Sequence, residues 1–160
     1  MKIRIFLNFK EDERISMENY AKDISKGLKK YYKNISISNF RPKVPKYLNI
    51  FPKLWKMRLA RYFFYKLQIR NLNQVDIAHI VDPQYAHLVE NIKAKKKVIT
   101  VHDLLPIILS KKHNTNRALI KYSLSKLNLF DNVITISNYT KKHLTKFTNV
   151  DKKKNFSYIS

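Results

Sequence analysis

The chain contains no cysteine and a single glycine, and its 11 acidic residues are few beside 33 lysines and arginines in 160 residues. Without cysteine, disulfides and thiolate metal sites are excluded. The one glycine, Gly27, falls inside a helical pattern. No glycine-rich loop is therefore available to cradle a phosphate, which argues against a dinucleotide-binding or P-loop enzyme formed by this chain alone. No apolar run approaches the ~18 residues needed to span a bilayer. The opening Met1 to Leu7 turns polar too quickly for a secretion signal. These absences lead to the expectation of a cytoplasmic protein, free or held peripherally on the inner face of the cell membrane.

What is present is a core-forming composition: 44% apolar residues, with ten tyrosines and nine phenylalanines. That excludes a disordered chain and suits one domain of ordinary size. The net charge of +22 has two physical partners, nucleic-acid phosphates and an anionic membrane surface. Compositional drift toward Lys, Asn and Ile would raise Glu alongside Lys, and Glu is scarce. No RRM or helix-turn-helix signature accompanies the charge, so nucleic acid is the weaker partner.

Strand and helix patterns alternate along the chain. Residues 2–7, 35–40, 76–81, 97–101, 132–136 and 155–159 read as short strands. Between them, residues 16–32 repeat Met17, Tyr20, Ala21, Ile24, Leu28 and Tyr31 at helical spacing behind a Ser16 cap. Pro42, Pro45 and Pro52 make residues 41–52 an extended loop. Residues 53–70, 84–92, 115–129 and 138–147 read as further helices, with Ala118, Leu119, Tyr122 and Leu127 as the buried stripe of 115–129 and Ser137 capping the last. Strands separated by such helices predict an α/β fold, a doubly wound and mostly parallel, Rossmann-like sheet in a single domain. Right-handed crossovers would then align Asn8, Asp82, His102, Asp103 and Ser137 on one rim of the sheet.

The stretch Lys97 to Pro106 carries the clearest chemistry, a β-branched run ending in His102-Asp103. Such strands deliver side chains to the ligand-binding edge of open α/β sheets. His102 can move a proton near neutral pH and Asp103 can orient it or bind sugar hydroxyls. The pair can equally satisfy loop backbone and cap the turn before Pro106. Asp82 repeats the pattern one strand away, as a hydroxyl contact or a cap for the helix that follows. Ser137-Asn138 opens a helix directly after a strand, where free amides suit an anion or an ordinary serine cap. His79, in mid-strand, reads as a hydrogen-bonded core histidine. His87 and His113 have no carboxylate at ligand spacing, so no metal site is expected.

Residues 41–75 form a basic, aromatic loop and helix. In 53–70, Leu54, Trp55, Leu59, Tyr62, Phe63 and Leu67 can form one apolar face, with Lys53, Lys56, Arg58, Arg61, Lys66 and Arg70 mostly elsewhere. That face either packs on the sheet or docks at a membrane interface, with Lys53, Trp55, Lys56, Arg58 and Arg61 as contacts.

Taken in order, these segments resemble the N-terminal half of retaining glycosyltransferases of family four, which have the two-domain GT-B fold. Asp76 to Leu88 looks like the family's D-x-x-H-x-x-D strand and following helix. Val98 to Pro106 looks like its V-x-T-x-H-D-L-x-P strand, and Phe130 to Lys141 is similar to its A-D-x-I-I-x-V-S-x-x-T-K. Lys154 to Ile159 resembles the strand before the family's N-G-V-D, without the motif itself. Residues 1–75 match in layout only. Asn8-Phe9-Lys10 stands where the family often has glycines, and Phe130 where it has a small residue.

The resemblance implies that residues 1–160 are an acceptor-binding domain, one half of a GT-B fold, whose donor domain is missing. It implies His102 beside the transferred sugar with Asp103 supporting it, and Asp82, Tyr85, Ser137 and Asn138 on the acceptor side. The expected reaction moves a sugar (of hexosyltransferase type, with retention) from a nucleotide-sugar to a lipid-linked or surface-polysaccharide acceptor. No cofactor beyond that co-substrate and no metal is expected. The chain alone is expected to be inactive, either as a truncated fragment or as half of a split enzyme whose separate partner chain supplies the donor half. The competing class is a non-enzymatic, basic Rossmann-like module that binds an anionic membrane or polyanion.

Overall fold

Among the described residues the β-branched and alternating runs become six strands: β1 (Lys2–Phe6), β2 (Ser36–Phe40), β3 (Val75–Ile80), β4 (Ala94–Val101), β5 (Asn132–Thr135) and β6 (Phe156–Tyr158). They form one sheet in the order β2-β1-β3-β4-β5-β6, and every neighbouring pair is parallel. This computed structural model describes residues 1–104, 115–148 and 156–158. Leu105, Pro106, His113, Lys154, Asn155 and Ile159 lie outside the described residues.

Among the described residues the helices are α1 (Ile15–Tyr31), α2 (Lys53–Leu59), α3 (Tyr65–Arg70), α4 (Thr115–Ser125) and α5 (Asn138–Phe147). Both faces of the sheet are covered, as the strand–helix alternation predicts. On one face Ile3, Ile5, Leu7 and Val81 pack with Met17 and Ala21 of α1. On the other, Phe6, Ala78, Ile80, Ile99, Val101 and Val133 meet side chains of every remaining helix, including Met57, Tyr65, Leu124 and Leu144. In β1, Ile5 and Phe6 thus serve opposite cores, the period-two rule at work.

Three local expectations are corrected. Helix α1 starts at Ile15, flanked by Arg14 without a side-chain cap, so Ser16 lies inside the helix and does not cap it. The cause is a 3-10 turn at Lys10–Asp12 followed by Glu13 at φ 54°, which swings the chain into the helix early. The segment 41–52 is not wholly extended, since Lys46–Ile50 closes a 3-10 turn. In α4 the stripe is rotated: Ala118 and Tyr122 face solvent while Ser123 and Leu124 are buried, and only Leu127 of the expected set is fully enclosed.

The helical run 53–70 is continuous but not uniform, because Ala60–Phe64 widens into a π-helical turn between α2 and α3. A buried ring explains the turn. His87 Nε2 lies 3.1 Å from the Arg61 carbonyl, taking a backbone group out of the regular ladder. The run turns Met57, Ala60, Tyr65 and Ile69 inward, and Tyr65 donates its hydroxyl to the Leu7 carbonyl at 2.6 Å. Leu54, Trp55, Phe63 and Leu67 therefore lie outside, contrary to their packing on the sheet.

Candidate functional site

The strand order reverses between β1 and β3, and ligands of open α/β sheets gather at the carboxyl ends of strands near such a point. Here Asn8, just past β1, donates from Nδ2 to Asp82 Oδ2 just past β3, at 2.7 Å. The other Asp82 oxygen accepts the Gln84 amide at 2.8 Å, capping the 3-10 helix Pro83–Glu90. The capping reading of Asp82 is observed, and the same residue lines a pocket.

That pocket, about 340 Å³ including its open mouth, is walled by Arg14 and Met17 from the start of α1, and by Asp82, Pro83 and Gln84 after β3. His102, Asp103 and Leu104 after β4 and Ile120 and Leu124 of α4 complete it. Its chemistry is mixed: apolar side chains on one part of the wall, and two carboxylates, an imidazole, an amide and a guanidinium on the rest. Carboxylates accept from hydroxyls, a guanidinium donates to them, and the apolar wall suits C–H faces.

His102 is held from several sides. Its ring meets the edge of Tyr20, with centroids 4.7 Å apart at 88°. Tyr20 Oη and His79 Nε2 both lie 2.8 Å from Thr100 Oγ1. His102 also hydrogen-bonds the Val81 backbone, while its Nε2 is buried and has no partner among the described residues. The Val81 bond is therefore made through Nδ1. Burial lowers the His102 pKa below its ordinary value, opposed by Asp82, Val81 and Asp103. The imidazole is neutral at neutral pH, with Nε2 unprotonated and enclosed.

His79 is the core histidine expected, its pKa lowered to about 4 by burial and then by the nearby His102. His87 is also fully buried, stacked on Tyr62 with centroids 4.6 Å apart. Its Nδ1 lies 2.9 Å from Ser123 Oγ. Burial brings its pKa down to about 4 as well.

Ser137 caps α5, accepting the Thr140 amide at 3.1 Å. Thr140 in turn donates to the His102 carbonyl at 3.1 Å, so the start of α5 is fastened to the His102 backbone. Asn138 is exposed. Ser137 and Asn138 stand beside the pocket but do not line it. Tyr85 is placed away from it, 2% exposed, because the 3-10 helix turns its ring into the core against Phe9 and Tyr65. Its hydroxyl donates to Asp12.

Asp12 also accepts from Arg61, which removes Arg61 from the surface cations. Lys53 and Trp55 are exposed, Lys56 and Arg58 are half-buried, and the Arg58 guanidinium lies over the Trp55 ring at 5.4 Å.

Arg14 was not legible as a site residue. Its only signal was position, a cation opening the first helix on the rim where β1 ends. Its guanidinium joins no ion pair among the described residues. Among those residues no cluster of three histidine or acidic side chains could hold a metal. No helix of the described residues is long and apolar enough to cross a membrane. Residues 17–155 match the family description Glycosyltransferase Family 4. Comparison with curated proteins gave no match.

Proposed function

The chain belongs to glycosyltransferase family 4, and from that membership we propose that its pocket is the acceptor-side half of a sugar-transfer site. The observation that carries the reading is His102 Nε2, buried and unpartnered among the described residues, in a wall shared with Asp82, Asp103 and Arg14. In this reading the nucleotide-sugar places its sugar against His102, whose unpartnered Nε2 accepts from a sugar hydroxyl once the ring turns toward the pocket. Asp103 and Arg14 fix neighbouring hydroxyls, and Asp82 holds the floor through Asn8 and Gln84. The apolar wall of Met17, Leu104, Ile120 and Leu124 supports the ring's C–H face. Ser137 and Asn138 border the acceptor's approach, and Tyr85 acts indirectly, by holding Asp12.

The transfer proceeds with retention, without a resident cofactor or metal, to a lipid-linked or surface-polysaccharide acceptor on the inner face of the cell membrane. Donor binding falls to a second unit, in the same polypeptide or a separate chain, and the 160 residues alone do not turn over. The test is sugar release and transfer by the chain joined to a donor-binding unit, with the product anomer read by NMR. His102→Ala should lower kcat by about 100-fold, the scale of losing one preorganised partner at the reacting sugar. Unchanged turnover in a folded variant removes His102 from the site.

A second reading, a non-enzymatic module for an anionic membrane or polyanion, is favoured by one observation, the exposed aromatic and basic face of residues 46–67. That face is compatible with a transferase and is developed next.

A further inference from the structure

From Ile24 to Val75 the chain has 13 lysines and arginines and no aspartate or glutamate. Charge drift alone would leave acidic residues scattered through so long a stretch. The same stretch carries an unusual surface. Of the 15 large apolar side chains exposed among the described residues, seven fall between Tyr47 and Leu67. Ile50 is 82% exposed, Tyr47 62% and Trp55 57%. An amphipathic helix serving only the core would set polar residues there.

The fold explains why these residues cannot turn inward. Met57, Ala60, Tyr65 and Ile69 already fill the inner face of the run. The wider π turn at Ala60–Phe64 slows the rotation of side chains along the axis, keeping Trp55 and Phe63 nearer one line than eight α-helical residues would. The face is rigidly backed as well. Gln68 clasps Lys43 from both sides, accepting its amide at 2.9 Å and donating to its carbonyl at 2.8 Å. Tyr47 packs edge-on against Phe64, with centroids 5.5 Å apart.

We propose that this face, carrying Tyr47, Ile50, Phe51, Leu54, Trp55 and Phe63, docks on an anionic phospholipid surface. Aromatic rings enter at headgroup depth while Lys46, Lys53 and Lys56 meet lipid phosphates. Charge complementarity selects the occupant: a segment with 13 cations and no carboxylate of its own is matched by a dense, anionic, partly apolar surface. A bilayer interface offers both properties, whereas a nucleic acid offers charge without a place for Ile50 and Leu54. The face begins on the rim where β2 ends and the helical run turns back, the same rim that holds the pocket. A docked molecule thus keeps its pocket close to the lipid headgroups. This assigns the surface and partner of the membrane location given above, and its test involves no sugar transfer, so either reading can fail alone.

Trp55 is the only tryptophan, which makes the experiment direct. The chain is mixed with vesicles of phosphatidylcholine alone and of equimolar phosphatidylcholine and phosphatidylglycerol, and followed by co-sedimentation and tryptophan emission. Expected are binding to the anionic vesicles with a blue shift of emission, and weakening as salt rises from about 0.1 M to 1 M, where the Debye length falls from ~10 to ~3 Å. Lys53→Gln with Lys56→Gln should reduce partitioning about 30-fold. Ile50→Ser with Leu54→Ser should reduce it at least tenfold with unchanged circular dichroism, since both side chains are already exposed. Failure to bind either vesicle overturns the proposal and indicates that another protein surface covers the face. Binding without a tryptophan shift, matched by equal affinity for heparin, also overturns it in favour of a general polyanion site.

Discussion

Acidification should unfold this protein in a window set by two buried imidazoles. His79 and His87 have pKa values near 4 in the fold, against an ordinary 6.5, chiefly because burial disfavours their charged forms. The unfolded chain therefore binds more protons than the folded one between those values. Stability is fully present above pH 6.5 and is lost as pH falls toward 4. With these values each histidine costs about 2 kcal/mol at pH 5 relative to pH 8, and the pair about 4. A domain of this size has ~5–15 kcal/mol in hand, so the loss is a large share of the total. His102, also lowered by burial, acts in the same direction. Few carboxylates titrate between pH 5 and 6.5, so the window belongs mainly to histidine. Urea unfolding followed by circular dichroism at pH 8, 6.5 and 5 measures the loss, and NMR of the imidazole Cε1–H signals identifies its source. His87→Asn should lower stability at pH 8 yet flatten the pH dependence by about half. Equal unfolding free energies at pH 8 and 5, or core histidine signals titrating near 6.5, would refute the reasoning.

Two further outcomes follow from local geometry. Gly27 sits within α1, and a Cβ built there meets nothing within 4 Å. Gly27→Ala should therefore raise stability by about 0.5–1 kcal/mol, visible as a higher urea midpoint with the same slope. The Asp12 side chain is 2% exposed and accepts from both Arg61 and Tyr85. Asp12→Ala should cost about 2–3 kcal/mol, below the usual cost of breaking a buried pair because Arg61 remains 31% exposed. Tyr85→Phe, which removes one hydroxyl and leaves the ion pair, should cost clearly less by thermal denaturation.

The sheet was legible because β-branched runs such as Val98 to Val101 leave few alternatives to a buried strand, and Ser137 announced its helix through cap chemistry. The rim followed from handedness alone: Asp82, His102 and Asp103 do share a pocket. Helix rotation was less legible. Trp55, Leu54 and Phe63 satisfy a helical period as well as Met57, Ala60 and Tyr65 do, and periodicity cannot say which stripe meets the core. A carbonyl captured by His87, 26 residues away from Arg61, decides it. Arg61 and Tyr85 read as surface and site residues because their common partner, Asp12, is 49 and 73 positions distant. Arg14 escaped notice for the same reason, since its neighbours in the pocket come from strands and helices far along the chain.

The bond between Asn8 and Asp82 has a consequence for where ligands can go. It stoppers the seam at which the strand order reverses, the place where related architectures admit a ligand's phosphates against bare backbone. With that seam plugged by an amide and a carboxylate, the open space is displaced one strand sideways, between the ends of β3 and β4. The recess beside the seam is therefore lined by side chains and not by bare main chain, so its chemistry is written in residues that can be changed one at a time.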